Sequence, residues 1–343
     1  MINSHFGFTP LKEVWLGDCY PESFYSHLPL QVQDAFAQIT EWTKQDLTSV
    51  ETFLKDRNII VKRPTFNSID NYIDSNDHLV KPPITPRDHY IVLGNTLYSL
   101  HNKMPYDPWQ KQIDEYLGQG YDVQQPKKQA INCVYPPSIV RVGRDIYIDV
   151  VSHKPQWGHV TEWLVELAKN YRVNICNTDG HSDSVFCPLA HRLIGTSHWK
   201  TDYSNTFPGW EVFEIKTNNL FHNEPKTWSV SKEINDNQCF VKHINDLAID
   251  WVGDYRETVF EVNMLVVDEH NVIIMKENED FCKWLEKHGI TAHCFDMRTR
   301  TFWDGGWHCL TLDIHRQDTK QDLFPFRGDN GIYWRDLDEN TSR

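Results

Sequence analysis

One cysteine near the C-terminal end, Cys309, lies in the segment Asp304-Gly305-Gly306-Trp307-His308-Cys309-Leu310-Thr311-Leu312-Asp313. Its two glycines let the backbone turn sharply or approach a ligand closely. The alternating apolar run that follows reads as a strand. A thiol at the start of a rigid element, just past a flexible turn, has the seat a nucleophile needs: fixed in position and open to substrate. The same residues also describe a small hydrophobe beginning a core strand, because free cysteine is usually buried and its reactivity depends on its surroundings.

A second segment is Asp179-Gly180-His181-Ser182-Asp183-Ser184-Val185-Phe186. On a strand, the two-residue spacing of His181 and Asp183 would put both side chains on one face. An imidazole beside a carboxylate can act as general acid and base. Asp-Gly-His is equally ordinary turn chemistry. A third segment, Thr85-Pro86-Arg87-Asp88, precedes a strand-like run at Tyr90. Asp88 there could bind a cation or serve as a turn residue. Together the three supply a thiol, an imidazole and carboxylates on separate elements, as a cysteine nucleophile with a histidine partner requires. Their distance in sequence is no objection, since such partners meet through the fold.

The elements that must position them alternate between short strands and amphipathic helices. Strands are expected near Val14–Gly17, Ile59–Lys62, Tyr90–Leu97, Val173–Ile175, Leu193–Gly195, Glu211–Ile215 and Ala292–Phe295, and hairpins over Ile139–Ile148 and Met264–Met275. Helices are expected over about 32–55, 158–170 and 279–287 from their apolar spacing. Strand-strand-helix-strand order recurs at least twice, which suggests a closed α/β architecture with pseudo-symmetry.

Composition narrows the function. The 343 residues include 40% hydrophobic residues and 13 Trp, enough for a sizeable core, and carry a formal net charge of −14. No basic excess exists to neutralise phosphates, which excludes a nucleic-acid partner and an anionic membrane surface. A cationic or zwitterionic small substrate fits the charge. No apolar run approaches a membrane span, and the N-terminus lacks the pattern of a secretory signal. The eight cysteines are scattered without Cys-x-x-Cys spacing, which points to reduced thiols in a cytoplasmic setting. The 17 histidines form no cluster with metal-ligand spacing.

With these segments in order, the chain resembles the amidinotransferases of the guanidino-group-modifying (pentein) superfamily. The resemblance runs through Leu11–Gly17, Leu54–Pro64, Pro86-Arg87-Asp88 with Ile91–Asn95, Arg141–Ile146, the His181–Phe186 segment and Gly305–Cys309. It implies a single domain over residues 1–343, folded as a five-bladed pseudo-symmetric α/β propeller of ββαβ units around a polar channel. It implies transfer of the amidino group of arginine to an amine acceptor such as glycine, with release of ornithine. Cys309 would be the nucleophile and His181 the acid and base, while Asp88 and Asp183 would bind the guanidinium. No metal or organic cofactor is implied, and a homodimer is. One departure stands out: two positions that are acidic in the family, one of which orients the catalytic histidine, are Tyr135 and Ser138 here. Lys200 stands near the position of an arginine that binds a substrate carboxylate in typical members. Two other readings follow: a guanidine hydrolase of the same superfamily, and a guanidine-binding homologue without turnover.

Overall fold

The computed structural model describes residues 1–100, 106–124, 135–149, 157–176, 178, 181–197, 203–215, 230–253 and 261–335. These form sixteen strands in five separate sheets, with helices between them. In chain order the strands and helices are β1 Leu11–Leu16, α1 Leu30–Lys55, β2 Ile60–Lys62, β3 Tyr90–Leu93, β4 Thr96–Ser99, α2 Gln110–Gly118, β5 Asp122–Gln124, β6 Ile139–Val142, β7 Asp145–Asp149, α3 Trp157–Ala168 and β8 Arg172–Cys176. They continue as β9 Phe186–Ala190, β10 Leu193–Ser197, β11 Glu211–Ile215, α4 Lys232–Asp236, α5 Gln238–Leu247, β12 Leu265–Asp268, β13 Asn271–Ile274, α6 Glu279–Lys287, β14 Thr291–Cys294, α7 Arg300–Trp303, β15 Thr311–Arg316 and β16 Gly331–Arg335.

The five sheets share one plan. A first strand pairs antiparallel with a second, and the second pairs parallel with a third: β3-β4-β5, β6-β7-β8, β9-β10-β11 and β12-β13-β14. Parallel neighbours need a crossover, and α2, α3 and α6 supply it in three of these sheets. The fifth sheet draws on both ends of the chain. β15 pairs antiparallel with β1, and β1 pairs parallel with β2 across the 26-residue α1. β16 adds a fourth strand beside β8. No sheet closes on itself among the described residues. The architecture is mixed α/β, and the strand-strand-helix-strand unit seen in the sequence recurs more often than the sequence alone disclosed.

Local sequence accounts for the elements. α1 buries Val32, Phe36, Ile39, Leu47, Val50 and Leu54 along one stripe and follows Pro29, whose fixed φ suits a helix start. α6 is capped by the Asn278 side chain, which accepts from the Phe281 N–H. The β6-β7 hairpin turns at Gly143, where φ is +68° and a Cβ would lie 2.3 Å from the Gln321 carbonyl oxygen. Only glycine meets both conditions.

Beneath the strand ends lies a buried ionic hub. The Asp313 carboxylate on β15 accepts from Arg87 at 2.6 Å, from Arg316 at 2.6 Å and from Arg141. Ser4 Oγ donates to it at 3.1 Å. Arg141 also donates to the Val92 carbonyl at 2.6 Å, and Arg316 to the Val266 carbonyl at 2.8 Å. One carboxylate thereby joins elements of four sheets. Burial alone would raise the Asp313 carboxyl, but the three guanidiniums hold it well below the ordinary range.

Candidate active site

The candidate residues occupy equivalent places in the repeated unit. Asp88 stands two residues ahead of β3, Asp183 three ahead of β9, and Cys309 two ahead of β15. Tyr135 and Ser138 lead into β6 in the same way. Each first strand thus delivers its preceding turn to one region.

Cys309 lies in a turn, where the sequence suggested a strand start. The Leu310 N–H bonds back to the Gly306 carbonyl at 2.9 Å before β15 begins. Two tryptophans brace this turn: Trp303 donates to Thr43 Oγ1 and Trp307 to the Phe295 carbonyl, each at 2.8 Å. Gly306 is required by contact, since a Cβ there would come within 2.5 Å of Asn263 Cβ. That close approach lets Asn263 grip the cysteine twice. Its Oδ1 accepts the Cys309 N–H at 2.9 Å, and its Nδ2 donates to Cys309 Sγ at 3.1 Å.

His181 and Asp183 do not lie on a strand. Ser182–Ser184 form a 3-10 turn, with the Ser184 N–H bonded to the His181 carbonyl at 2.9 Å, and β9 begins only at Phe186. Short polar Ser-Asp-Ser favours a turn over an extended run. Pro86–Asp88 is a 3-10 turn as well, started by Pro86. The turns nevertheless bring the side chains together. Asp183 Oδ2 accepts the Cys309 thiol at 3.5 Å and His308 Nδ1 at 2.7 Å. Asp88 and His181 are near enough for their charges to act on each other, and both act on Asp183.

The electrostatics divide the roles. Burial pushes the Cys309 thiol well above its usual value, and the charges of Asp183 and Asp88 add to the rise; Asn263 and Arg87 oppose it. These surroundings favour the neutral thiol. Burial raises Asp88 too, with Lys81 and Thr85 opposing. Burial would raise Asp183, but the His308 hydrogen bond and the neighbouring positive groups bring it below the ordinary carboxylate value. His308 is lowered to about 4, by burial first and the Arg87 charge second. A neutral imidazole must then donate its Nδ1–H to an ionised Asp183. The side chains set two carboxyl groups beside the Cys309 sulfur, an arrangement that suits a planar cation.

Tyr135 is stacked beside His181, with ring centroids 6.0 Å apart and planes 28° from parallel. Ser138 is fully buried, and its carbonyl accepts from Ser182 Oγ at 3.0 Å. Lys200 lies outside the described residues. Among the described residues no group of His, Cys, Asp or Glu is arranged to hold a metal ion. No described helix is long and apolar enough to cross a membrane.

Sequence reasoning missed Asn263 and His308 as site residues. His308 was in view only as part of the cysteine segment. Asn263 had one available signal: it stands two residues ahead of β12, the place that Asp88 and Cys309 occupy in their own sheets.

No protein-family model matches the chain. Mitochondrial glycine amidinotransferase of Xenopus laevis is 25% identical over 200 residues, and that of Gallus gallus 24% over 200 residues. Each match takes in 56% of this chain and 40% of the relative, so the chain spans well under two thirds of the curated relatives. Among solved structures, SxtG, an amidinotransferase in the saxitoxin biosynthetic pathway of Microseira wollei, superposes with a TM-score of 0.68 at 18% identity, covering 94% of this chain and 99% of its own. The inosamine-phosphate amidinotransferase StrB1 of Streptomyces griseus gives 0.66 at 18% identity, covering 94% and 98%. A DDAH of Pseudomonas aeruginosa complexed with citrulline gives 0.54 at 12% identity, covering 88% and 99%. The chain is thus similar in sequence to glycine amidinotransferases over part of its length and shares the fold of solved amidinotransferases.

Proposed function

We propose that the protein is an amidinotransferase that carries the amidino group of arginine on Cys309 to an amine acceptor such as glycine. The observation that carries this reading is the thiol of Cys309 lodged against the Asp183 carboxylate, with Asp88 and His181 within electrostatic reach. Asp88 and Asp183 bind the guanidinium. Its positive charge offsets the two carboxylates that suppress Cys309, so the thiol gives its proton to His181 as the donor arrives. The thiolate attacks the central guanidinium carbon, and the C–N bond to the departing amine breaks as His181 protonates that nitrogen. Ornithine leaves, and the amidino group remains on sulfur. His181 then takes a proton from the incoming amine, whose nitrogen displaces the Cys309 sulfur. Tyr135, Ser138 and Lys200 complete the substrate-binding region.

In this reading residues 1–343 form one domain, and the five sheets are blades of a propeller around a polar channel. The seven described cysteines are free, which supports a reducing, cytoplasmic setting. A homodimer is the assembly expected.

The test is to incubate the protein with arginine, with and without glycine and other small amines, and to follow ornithine and the guanidino product by mass spectrometry. Ornithine and a guanidino product that depend on the acceptor, both lost in Cys309→Ser, support the proposal. Citrulline, or urea with ornithine, in the absence of an acceptor would make the enzyme a hydrolase. Binding of arginine without turnover would make it a guanidine-binding protein.

A further inference from the structure

The two oxygens of the Asp183 carboxylate keep different company. Oδ2 accepts the His308 Nδ1–H at 2.7 Å and the Cys309 thiol at 3.5 Å, so both of its lone pairs are engaged. Oδ1 takes a weaker donor, Ser184 Oγ at 3.4 Å. The backbone that bears the His308 ring is tied on two sides. Its N–H donates to the Asn263 carbonyl at 3.2 Å, and its carbonyl accepts Arg87 Nε at 2.8 Å. These partners belong to the approaches to β12 and β3, so the imidazole is presented to Asp183 from a fixed frame. Asp183 is buried, while 19% of the His308 side chain reaches solvent. A substitution of the ring therefore does not empty a core position.

We propose that His308 is a positioning residue for the guanidinium site: by occupying Oδ2 it holds the Asp183 carboxylate beside the Cys309 sulfur and leaves Oδ1 for the substrate. A carboxylate with both oxygens free takes a guanidinium as a two-pronged fork. With Oδ2 filled, the guanidinium meets Asp183 through Oδ1. The same hydrogen bond keeps the carboxylate charged. Burial pushes Asp183 up, and the His308 bond heads the influences that bring it down. A buried carboxyl without that donor takes up a proton more readily and loses its hold on a cation. A neutral ring suits this task, because it donates its Nδ1–H without adding a positive charge that would repel the guanidinium. His308, lowered to about 4, is neutral at neutral pH. This inference rests on the amidino-transfer reading for its kinetic arm only.

The experiment compares His308→Asn with His308→Leu. Both variants lose the ring. Asparagine keeps an N–H donor near the place of Nδ1, and leucine has the same branching with no donor. The Asp183 carboxyl is titrated by carbon NMR of labelled aspartate and assigned with Asp183→Asn. Its midpoint should lie at least about one pH unit higher in His308→Leu than in His308→Asn, and a smaller gap would overturn the proposal. With arginine as donor, kcat/KM should be at least about tenfold lower in His308→Leu than in His308→Asn, the worth of a hydrogen bond to a charged group. A smaller difference would overturn it. A third readout uses the wild type, so it stands if His308→Leu does not fold. Nitrogen NMR of the His308 ring at neutral pH, assigned with His308→Asn, should show the proton on Nδ1 and none on Nε2; a proton on Nε2 would overturn the proposal. If wild type turns over no arginine, the amidino-transfer reading fails and the two NMR measurements decide the role of His308.

Discussion

Two carboxylates border Cys309 and resist its ionisation, so the resting site is poorly reactive by construction. Replacing Asp183 with Asn removes one of them. The Cys309 thiol should then fall toward its ordinary value, and alkylation by neutral iodoacetamide at pH 7 should rise by about tenfold for each unit of that fall. Guanidine turnover should vanish in the same variant. An unchanged alkylation rate would show that burial alone suppresses the thiol. His308 supports a separate prediction. Its folded-state value of about 4 lies below the ordinary value of 6.5, so the fold prefers the neutral ring. Stability from this group is complete above about pH 6.5 and is lost as the pH falls toward 4, with a slope of at most about 1.4 kcal/mol per pH unit. Asp183, also lowered, loses its contribution only below the usual carboxylate value. Urea midpoints measured from pH 7 to 4.5 should drop in wild type and flatten in His308→Gln; equal slopes would assign the drop to other groups. Cys309, His181, Asp183 and Asp88 could be named as candidates from the sequence because their residue types announce chemistry. Asn263 could not, since an amide has no reactivity to announce and its use depends on the 3.1 Å approach to sulfur.

Each first strand is preceded by a short turn, and these turns carry the candidate chemistry. Turn geometry is where the sequence left two readings open. The spacing of His181 and Asp183 would give a shared face on a strand; the turn is the reading observed, with Asp183 in a 3-10 turn and His181 just before it. Side-chain alternation is a property of extended backbone only, and three polar residues in a row do not sustain it. The helices and hairpins were far more legible: α1, α6 and the hairpins at Gly143 and Asp268 follow from apolar period and turn residues. What no local pattern could disclose was the pairing of β1 with β15, whose partners lie at opposite ends of the chain. The prediction at this scale concerns Gly306. In Gly306→Ala the new methyl meets Asn263 at 2.5 Å, and backbone is among the atoms it strikes. Stability should fall by about 1–3 kcal/mol. Turnover should fall about 100-fold as Asn263 is pushed from Cys309. Gly118→Ala, where a Cβ meets nothing within 4 Å, is the control and should leave both unchanged. Full activity in Gly306→Ala would show that the Asn263 grip is dispensable.

Across the whole molecule the sheets share apolar cores, and a few buried charges bridge them as well. Asp313 holds three guanidiniums, and each of these also reaches a backbone carbonyl from another part of the chain. In Asp313→Asn the guanidiniums stay buried and lose their counter-charge. The expected loss is about 3–5 kcal/mol, read as a lower urea midpoint. A loss under about 1 kcal/mol would mean that packing, not charge, joins the sheets. The sheet that seats Cys309 has a further consequence for how the protein comes into being. Leu16 pairs with Thr311 and Leu11 with Arg316, so β1 has no antiparallel partner until β15, far later in the sequence, has been made. Until then its hydrogen-bonding edge stays open, an invitation to foreign strands that a chaperone would have to decline. The cysteine enters its seat only when β15 arrives. The surroundings of Cys309 are thus completed by a contact between distant parts of the chain, and no partial copy lacking β15 can assemble them.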